Sequence, residues 1–268
     1  MSNKTVNIIF IGDIVGSSGR TALRQLLPDI RDEWDADIVI ANGENAAHGF
    51  GLTPSTAKEI YDAGVDFITG GNHTWDKKEI VQALREFDGR MIRPSNYPPN
   101  SPGRGSGVVN ARGGEKIGII NVMGRIFMDP LDCPFRAADR ELERVSKEAR
   151  IILVDIHAEA TSEKAAMAAH LDGRVSAVVG SHTHVQTADE RISQKGTGFL
   201  TDAVMTGPLQ SIIGMKTEII LRRFLEKRPI RMEVADGPGT VQGVVFRIDR
   251  ESAKCESISR IQRINHGC

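Results

Sequence analysis

The sequence predicts an α/β protein, mixed toward α+β in its later part, with two packed β-sheets. Three observations carry that expectation. Residues 6–69 read strand–helix–strand–helix–strand, and each strand closes on glycine and polar groups. The strands are short, nearly unbroken apolar runs such as Val6-Asn7-Ile8-Ile9-Phe10-Ile11, as expected of strands covered on both faces. Beyond residue 196 strand-like stretches predominate, which predicts antiparallel pairing in a second sheet packed on the first.

In order, the first strand, 6–11, ends in Gly12-Asp13. Val15-Gly16-Ser17-Ser18-Gly19-Arg20 then leads into a helix running to about Trp34. Strand 37–41 ends in Asn42-Gly43-Glu44-Asn45. A helix over 54–63 follows, with Thr53 as its N-cap and Gly64 at its end. Strand 66–69 closes on Gly70-Gly71-Asn72-His73. Such alternation gives parallel strands with helices outside the sheet, and ligands collect at the carboxyl ends of the strands. A helix near 77–87 precedes a surface loop rich in Pro, Asn and Gly over 94–107. Residues 108–111 and 116–122 read as a hairpin around Gly113-Gly114, and 123–136, with Pro130 and Pro134, as a loop. Helix 138–149, apolar strand 151–156 ending in His157, helix 162–171 and strand 175–179 lead to Gly180-Ser181-His182-Thr183-His184. Stretches 196–201 and 240–248 have strand character, with a short helix over 218–225 between them, and 254–264 alternates as a last antiparallel strand. No internal repeat or low-complexity tract divides the chain, so residues 1–268 are expected to form one domain.

A formal net charge of -1 gives no global field for nucleic acid or an anionic membrane. Cys133, Cys255 and Cys268 are odd in number and dispersed, which argues against a disulfide framework and fits a reducing cytoplasm. None belongs to a C-x-x-C pair, so thiolate metal sites are not expected. No apolar run approaches the ~20 residues needed to span a bilayer.

Five strand ends carry Asp13, Glu44 with Asn45, Asn72 with His73, His157, and His182 with His184. Four of the seven histidines stand there, leaving His48, His170 and His266 elsewhere. Each position alone has an ordinary explanation: Asp13 as a helix cap, Asn45 and Gly71-Asn72 in turns, His157 in the core, His182 and His184 in a loop. Five such ends together point to a metal centre. Two carboxylates, two amides and four histidines exceed one tetrahedral zinc and suit two adjacent divalent ions that share a carboxylate. Two ions ~3.5–4 Å apart clamp a phosphoryl group and deprotonate a bridging water at neutral pH. The absence of cysteine ligands favours Mn or Fe, with Zn also compatible.

Gly12-Asp13, Asn42-Gly43-Glu44-Asn45, Gly71-Asn72-His73, His157 and Gly180-Ser181-His182-Thr183-His184 resemble, in order, the motifs of the calcineurin-like metallophosphoesterase superfamily. The flanks His184-Val185-Gln186-Thr187-Ala188-Asp189-Glu190 and Met205-Thr206-Gly207-Pro208 resemble its bacterial YmdB-type branch, whose members act on cyclic nucleotides. The superfamily opens on D-x-H where this chain has Val15, uses an aspartate where it has Glu44, and places an acid after G-N-H where it has Thr74. Asn45 stands in for the missing histidine ligand, and Asp76 is near enough in sequence to orient His73.

The resemblance implies a four-layer αββα sandwich in which two mixed sheets are flanked by helices. It implies one metal on Asp13, Glu44, Asn45 and His184 and a second on Glu44, Asn72, His157 and His182, with Glu44 bridging. A metal-bridging hydroxide would attack phosphorus in line, and His73 would protonate the departing alkoxide. The alternative for His73 is a histidine that only positions Asn72. The implied substrate is a 2′,3′-cyclic or 3′,5′-cyclic nucleotide, or another phosphodiester, and the implied assembly is a homo-oligomer. Two weaker signals concern substrate: Arg125, as a phosphate contact or an ordinary surface arginine, and Gly12-x-x-x-Gly16-x-x-Gly19, as backbone amides near an anion. A metal-dependent amidohydrolase would place H-x-H on its first strand, and here it comes near residue 182. The same site could also serve a phosphomonoesterase or protein phosphatase. The other functional class is a regulatory protein that binds metal and nucleotide and hydrolyses slowly or incidentally.

Overall fold

A computed structural model describes residues 4–265, so His266 and Cys268 lie outside the described residues. The chain begins β1 (Thr5–Ile11), β2 (Asp13–Ile14), α1 (Gly16–Glu33), β3 (Ile38–Asn42), α2 (Pro54–Asp62), β4 (Phe67–Thr69) and α3 (Ile80–Glu86). It continues through β5 (Ser106–Asn110), β6 (Lys116–Met123), α4 (Pro134–Val145), β7 (Ile151–His157), α5 (Thr161–His170) and β8 (Ala177–Ser181). It closes with β9 (Arg191–Ile192), β10 (Gly198–Leu200), β11 (Met205–Pro208), α6 (Thr217–Glu226), β12 (Gly239–Asp249) and β13 (Cys255–Ile264).

One sheet has the order β2-β11-β12-β1-β3-β4, with β13 paired to β12; the other runs β5-β6-β7-β8-β10-β9. The expected parallel runs are present: β1, β3 and β4 are mutually parallel, as are β6, β7 and β8. Strand periodicity sorts the side chains between two faces. Along β1, Ile8 and Phe10 enter a core shared by both sheets, while Ile9 and Ile11 face α1, α2 and α3. On the second sheet Ile117, Ile119, Ile151 and Leu153 face the shared core, and Ile120, Ile152 and Val154 pack on α4 and α5. The layers are therefore helix, sheet, sheet, helix. Burial on both faces explains the unbroken apolar strands, each fully buried Ile or Phe contributing roughly 1.5–3 kcal/mol.

Of the late strands, β10 joins the second sheet, parallel to β8 and antiparallel to β9, whereas β12 and β13 do not, contrary to the sequence expectation. β12 pairs antiparallel with β1 from Thr5↔Asp249 to Ile11↔Gly243 and so extends the first sheet. Most of the second sheet, β5 to β8, comes instead from the middle of the chain. Two helices also shift. α4 starts at Pro134, inside the expected loop, because proline fits the first turn, where its missing N–H leaves no bond unmade. α3 is shorter than 77–87. Thr53 caps α2 as expected, accepting from the Thr56 N–H in a reciprocal capping box.

Candidate metal centre

The carboxyl ends of β1, β3, β4, β7 and β8 meet at one rim of the sandwich, and the eight candidate residues gather there. At that rim the shared core changes from apolar to polar. Asn42, Thr69, Asn121, Asp155 and Ser181 are buried there; Thr69 from one sheet and Asn121 and Ser181 from the other all donate to Asp155, and Asn42 Nδ2 donates to the Gly70 carbonyl beside them. Thr69 Oγ1 donates to Asp155 Oδ2 at 2.6 Å, and Asn121 Nδ2 donates to the same oxygen at 3.2 Å.

His157 sits at the centre with no exposed side-chain surface. Its Nε2 lies 3.1 Å from Glu44 Oε1, 2.8 Å from Asn72 Oδ1 and 3.1 Å from His182 Nδ1. Four ligand-type atoms thus converge within a shell one cation would span, and Glu44, His157 and His182 keep theirs within 4.8 Å of one another. Beside them, His184 Nε2 stands 3.2 Å from Asp13 Oδ2 and 3.2 Å from the Asn45 amide nitrogen. Asn45 Nδ2 also donates to Glu44 Oε1 at 3.3 Å, so Glu44 lies between the two groups. A ligand role for Asn45 requires its carboxamide to turn and present Oδ1.

The histidines are held from behind. His184 Nδ1 donates to the Ile213 carbonyl at 2.9 Å, which leaves Nε2 with its lone pair toward Asp13. His157 Nδ1 is 2.9 Å from Ser181 Oγ, whose hydroxyl donates to Asp155 Oδ1 at 2.7 Å. His182 and His184 both take left-handed backbone conformations, φ 101° and 62°, which side chains other than glycine rarely adopt. An ion pair beneath them fixes that turn: Lys164 Nζ meets Asp202 Oδ2 at 2.5 Å, both fully buried, and the same oxygen accepts from the Thr183 backbone and hydroxyl. Asp155, Ser181, Lys164 and Asp202 are the members of the site that the sequence reading omitted.

Glu44 and His157 stabilise each other's charged form. Burial acts against charge on Glu44, yet His157 outweighs it and lowers the carboxyl pKa to about 2. Burial likewise opposes charge on His157, and Glu44 overcomes it to raise the imidazole to about 9. His182 is pushed down to about 3 by burial and then by the neighbouring His157, so it is a neutral donor. Burial raises Asp155 to about 7.

Two observations test whether the residues fit metal ions. Asp13 Oδ1 is buried without a hydrogen-bond partner, an acceptor whose desolvation nothing offsets. A Cβ at Gly71 would stand 2.3 Å from Glu44 Oε2 and 2.4 Å from His157 Nε2, so only glycine leaves these ligand atoms their space. The donor set of carboxylate, amide and imidazole groups fits.

His73 lies at the edge of the cluster. Its backbone N–H donates to Glu44 Oε2 at 2.8 Å, and its Nδ1 is 2.8 Å from Asp76 Oδ2. Its ring is partly exposed, with one edge held by Asp76. The three glycine amides of the glycine-rich turn are already engaged: Gly12 N–H donates to the Gln242 carbonyl, Gly16 N–H to that of Asn45 and Gly19 N–H to that of Val15. Arg125 is exposed, and its backbone N–H donates to Glu163 at 3.0 Å.

A two-sheet α/β sandwich with such a cluster at its strand ends defines a metallophosphoesterase. The chain belongs to the YmdB-like protein family, whose model matches residues 9–261. It is 47% identical over 256 residues to the 2′,3′-cyclic-nucleotide 2′-phosphodiesterase of Bacillus subtilis strain 168, covering 96% of each chain. A crystal structure of a phosphatase from Mycoplasma pneumoniae superposes with a TM-score of 0.90 at 34% identity, over 98% of this chain and 95% of that one. A protein of Thermus thermophilus superposes equally, TM-score 0.90 at 46% identity, over 97% and 99% of the two chains.

Proposed function

We propose that this chain is a dinuclear-metal phosphodiesterase that hydrolyses cyclic nucleotides, 2′,3′-cyclic ones first. The observation that carries the reading is the convergence of Glu44, Asn72 and His182 on His157 Nε2 beside the Asp13–His184 pair, with Glu44 between them. The name of the Bacillus relative supports the substrate class. Asp13, Glu44, Asn45 and His184 would hold one ion, and Glu44, Asn72, His157 and His182 the other. All-N/O donation favours Mn or Fe over metals that seek thiolate. Bound there, the ions would supply positive charge to the phosphoryl oxygens and acidify a water at neutral pH.

The chain's own residues supply the rest. Attack of water oxygen on phosphorus breaks the bond to one ribose oxygen, which leaves as an alkoxide and needs a proton. His73, oriented by Asp76, donates it; the proton released by water restores the balance. The product is the nucleoside monophosphate. Asp155 and Ser181 keep His157 Nδ1 occupied so that Nε2 faces the cluster.

Purified protein should carry close to two metal ions per chain, and with Mn(II) or Fe(II) should turn over 2′,3′-cyclic nucleotides. His73→Asn should lower that turnover by about 10²–10⁴-fold while leaving bound metal unchanged. A protein that holds metal and nucleotide but shows no His73-dependent turnover is the regulatory binder instead. The reading treats the 268 residues as one domain in a reducing cytoplasm. It also takes the chain as a homo-oligomer, for which the exposed Leu221, Phe224 and Leu225 of α6 offer an apolar face. A monomer in sedimentation equilibrium refutes that last point.

A further inference from the structure

We propose that Phe50 is the base-contacting residue of this site, receiving the nucleobase of a 2′,3′-cyclic nucleotide on its ring. The inference rests on the phosphodiesterase reading above and extends it to substrate recognition. Both ester oxygens of a 2′,3′-cyclic phosphate belong to one ribose. The oxygen that takes the proton from His73 therefore brings its ribose against that imidazole. If O2′ leaves, only C2′ and C1′ separate it from the glycosidic nitrogen, so the base falls beside His73 as well. The aromatic ring in contact with His73 is Phe50, with ring centroids 4.9 Å apart and planes at 70°.

The loop that carries Phe50 is shaped for this placement. It is the same loop that presents Glu44 and Asn45, folded back by the Ala47 N–H to Gly51 carbonyl bond at 2.9 Å and the Gly49 N–H to Asn45 carbonyl bond at 3.1 Å. His48, Gly49 and Gly51 all have left-handed φ, 60°, 88° and 79°, so the residues on either side of Phe50 are bent to present it. Glycine takes such φ freely, but His48 does not, and a non-glycine residue held in this region is a feature that concentrates at ligand clamps. Phe50 remains half-buried, with surface left over beyond its edge-to-face contact with His73. A purely structural phenylalanine would be driven into the core, as its loop neighbours Ala46 and Leu52 are. An aromatic face beside a leaving nucleoside recognises any base by stacking and larger purines more strongly.

The test uses the metal-loaded full chain with Phe50→Leu, which retains apolar packing on His73 but removes the aromatic face, and Phe50→Trp, which restores one. For 2′,3′-cyclic AMP, Phe50→Leu should raise KM roughly tenfold with kcat little changed, and Phe50→Trp should recover it. KM for ribose 2′,3′-cyclic phosphate, which has no base, should stay within about twofold, the margin of a lost side contact. Equal losses on both substrates would make Phe50 a support for His73 and overturn the proposal, as would no change on either. Wild-type protein that turns over neither substrate would instead defeat the phosphodiesterase reading. Calorimetric binding of adenosine 3′-monophosphate against ribose 3-phosphate then reads the same contrast for Phe50→Leu without turnover. Failure of Phe50→Leu to weaken the adenosine ligand selectively refutes the base contact.

Discussion

Gly71→Ala isolates the space that the proposed metal centre needs. Gly71 does not have a left-handed φ, so alanine is allowed by the backbone and only its methyl group is new. That methyl would lie 2.3 Å from Glu44 Oε2 and 2.4 Å from His157 Nε2. Ordinary contact begins near 3.4 Å, so each ligand atom must retreat by roughly 1 Å. Neither side chain has room to do so, with 1% and 0% of their surfaces exposed. Misplacement of about 1 Å at a reacting centre costs on the order of 10²-fold in rate, about 2.7 kcal/mol of barrier. Overpacking itself should cost about 1–3 kcal/mol of stability, leaving a folded protein. Circular dichroism should therefore look native, while elemental analysis shows less than one ion per chain and phosphodiester turnover falls by about 10²-fold or more. A Gly71→Ala protein with full metal content and wild-type turnover would refute the placement of the metal centre between Glu44 and His157.

Two further substitutions probe the supports. Ser181→Ala removes the hydroxyl between His157 Nδ1 and Asp155 Oδ1, and chelator competition should show metal affinity lowered about 10–100-fold in a normally folded protein. Unchanged affinity would mean that the relay does not orient His157. Lys164→Met leaves the buried Asp202 carboxylate without its cation, which should lower stability to denaturant by about 3 kcal/mol, the low end for a broken buried pair. The low end applies because Asp202 keeps donors from Thr183 and Val204. A loss below about 1 kcal/mol would show that the pair is solvent-screened rather than buried.

The fold is legible where apolar runs alternate with helices, and misread where pairing is remote. β1 and β12 are separated by more than two hundred residues, and nothing in either run names its partner. Both are apolar on both faces, so both fit equally the middle of either sheet. The short β11 is invisible for a different reason. It is a four-residue stretch, Met205–Pro208, whose pairing with β2 and β12 is set by tertiary context rather than by any pattern of its own. Pro134 misleads because proline reads as a loop signal, whereas at the first helical position its missing N–H is harmless.

The site is more legible than the fold because its residues mark strand ends, and strand ends do not depend on which strands are neighbours. The supporting residues can be found by the same route. Inward positions recur with period two, giving Ile38, Ile40 and Asn42 on β3, and Phe67 and Thr69 on β4. The same stepping gives Ile117, Ile119 and Asn121 on β6, then Ile151, Leu153, Asp155 and His157 on β7, and Ala177, Val179 and Ser181 on β8. Each of these strands is apolar toward the shared core until near its carboxyl end, where it turns polar, with Met123 following Asn121 on β6. A single buried Asp155 in an otherwise apolar strand would be costly without partners. Five strands making the same change at the same end supply those partners to one another, so the polar layer is self-satisfying. His157 belongs to that layer as its outermost member, one period beyond Asp155. Its neighbours on the open side are the ligand-type atoms of Glu44, Asn72 and His182, at 3.1, 2.8 and 3.1 Å from Nε2. The polar ladder between the sheets thus ends on a cluster of donors aimed at one point, which is what a cation requires and a hydrophobic core does not.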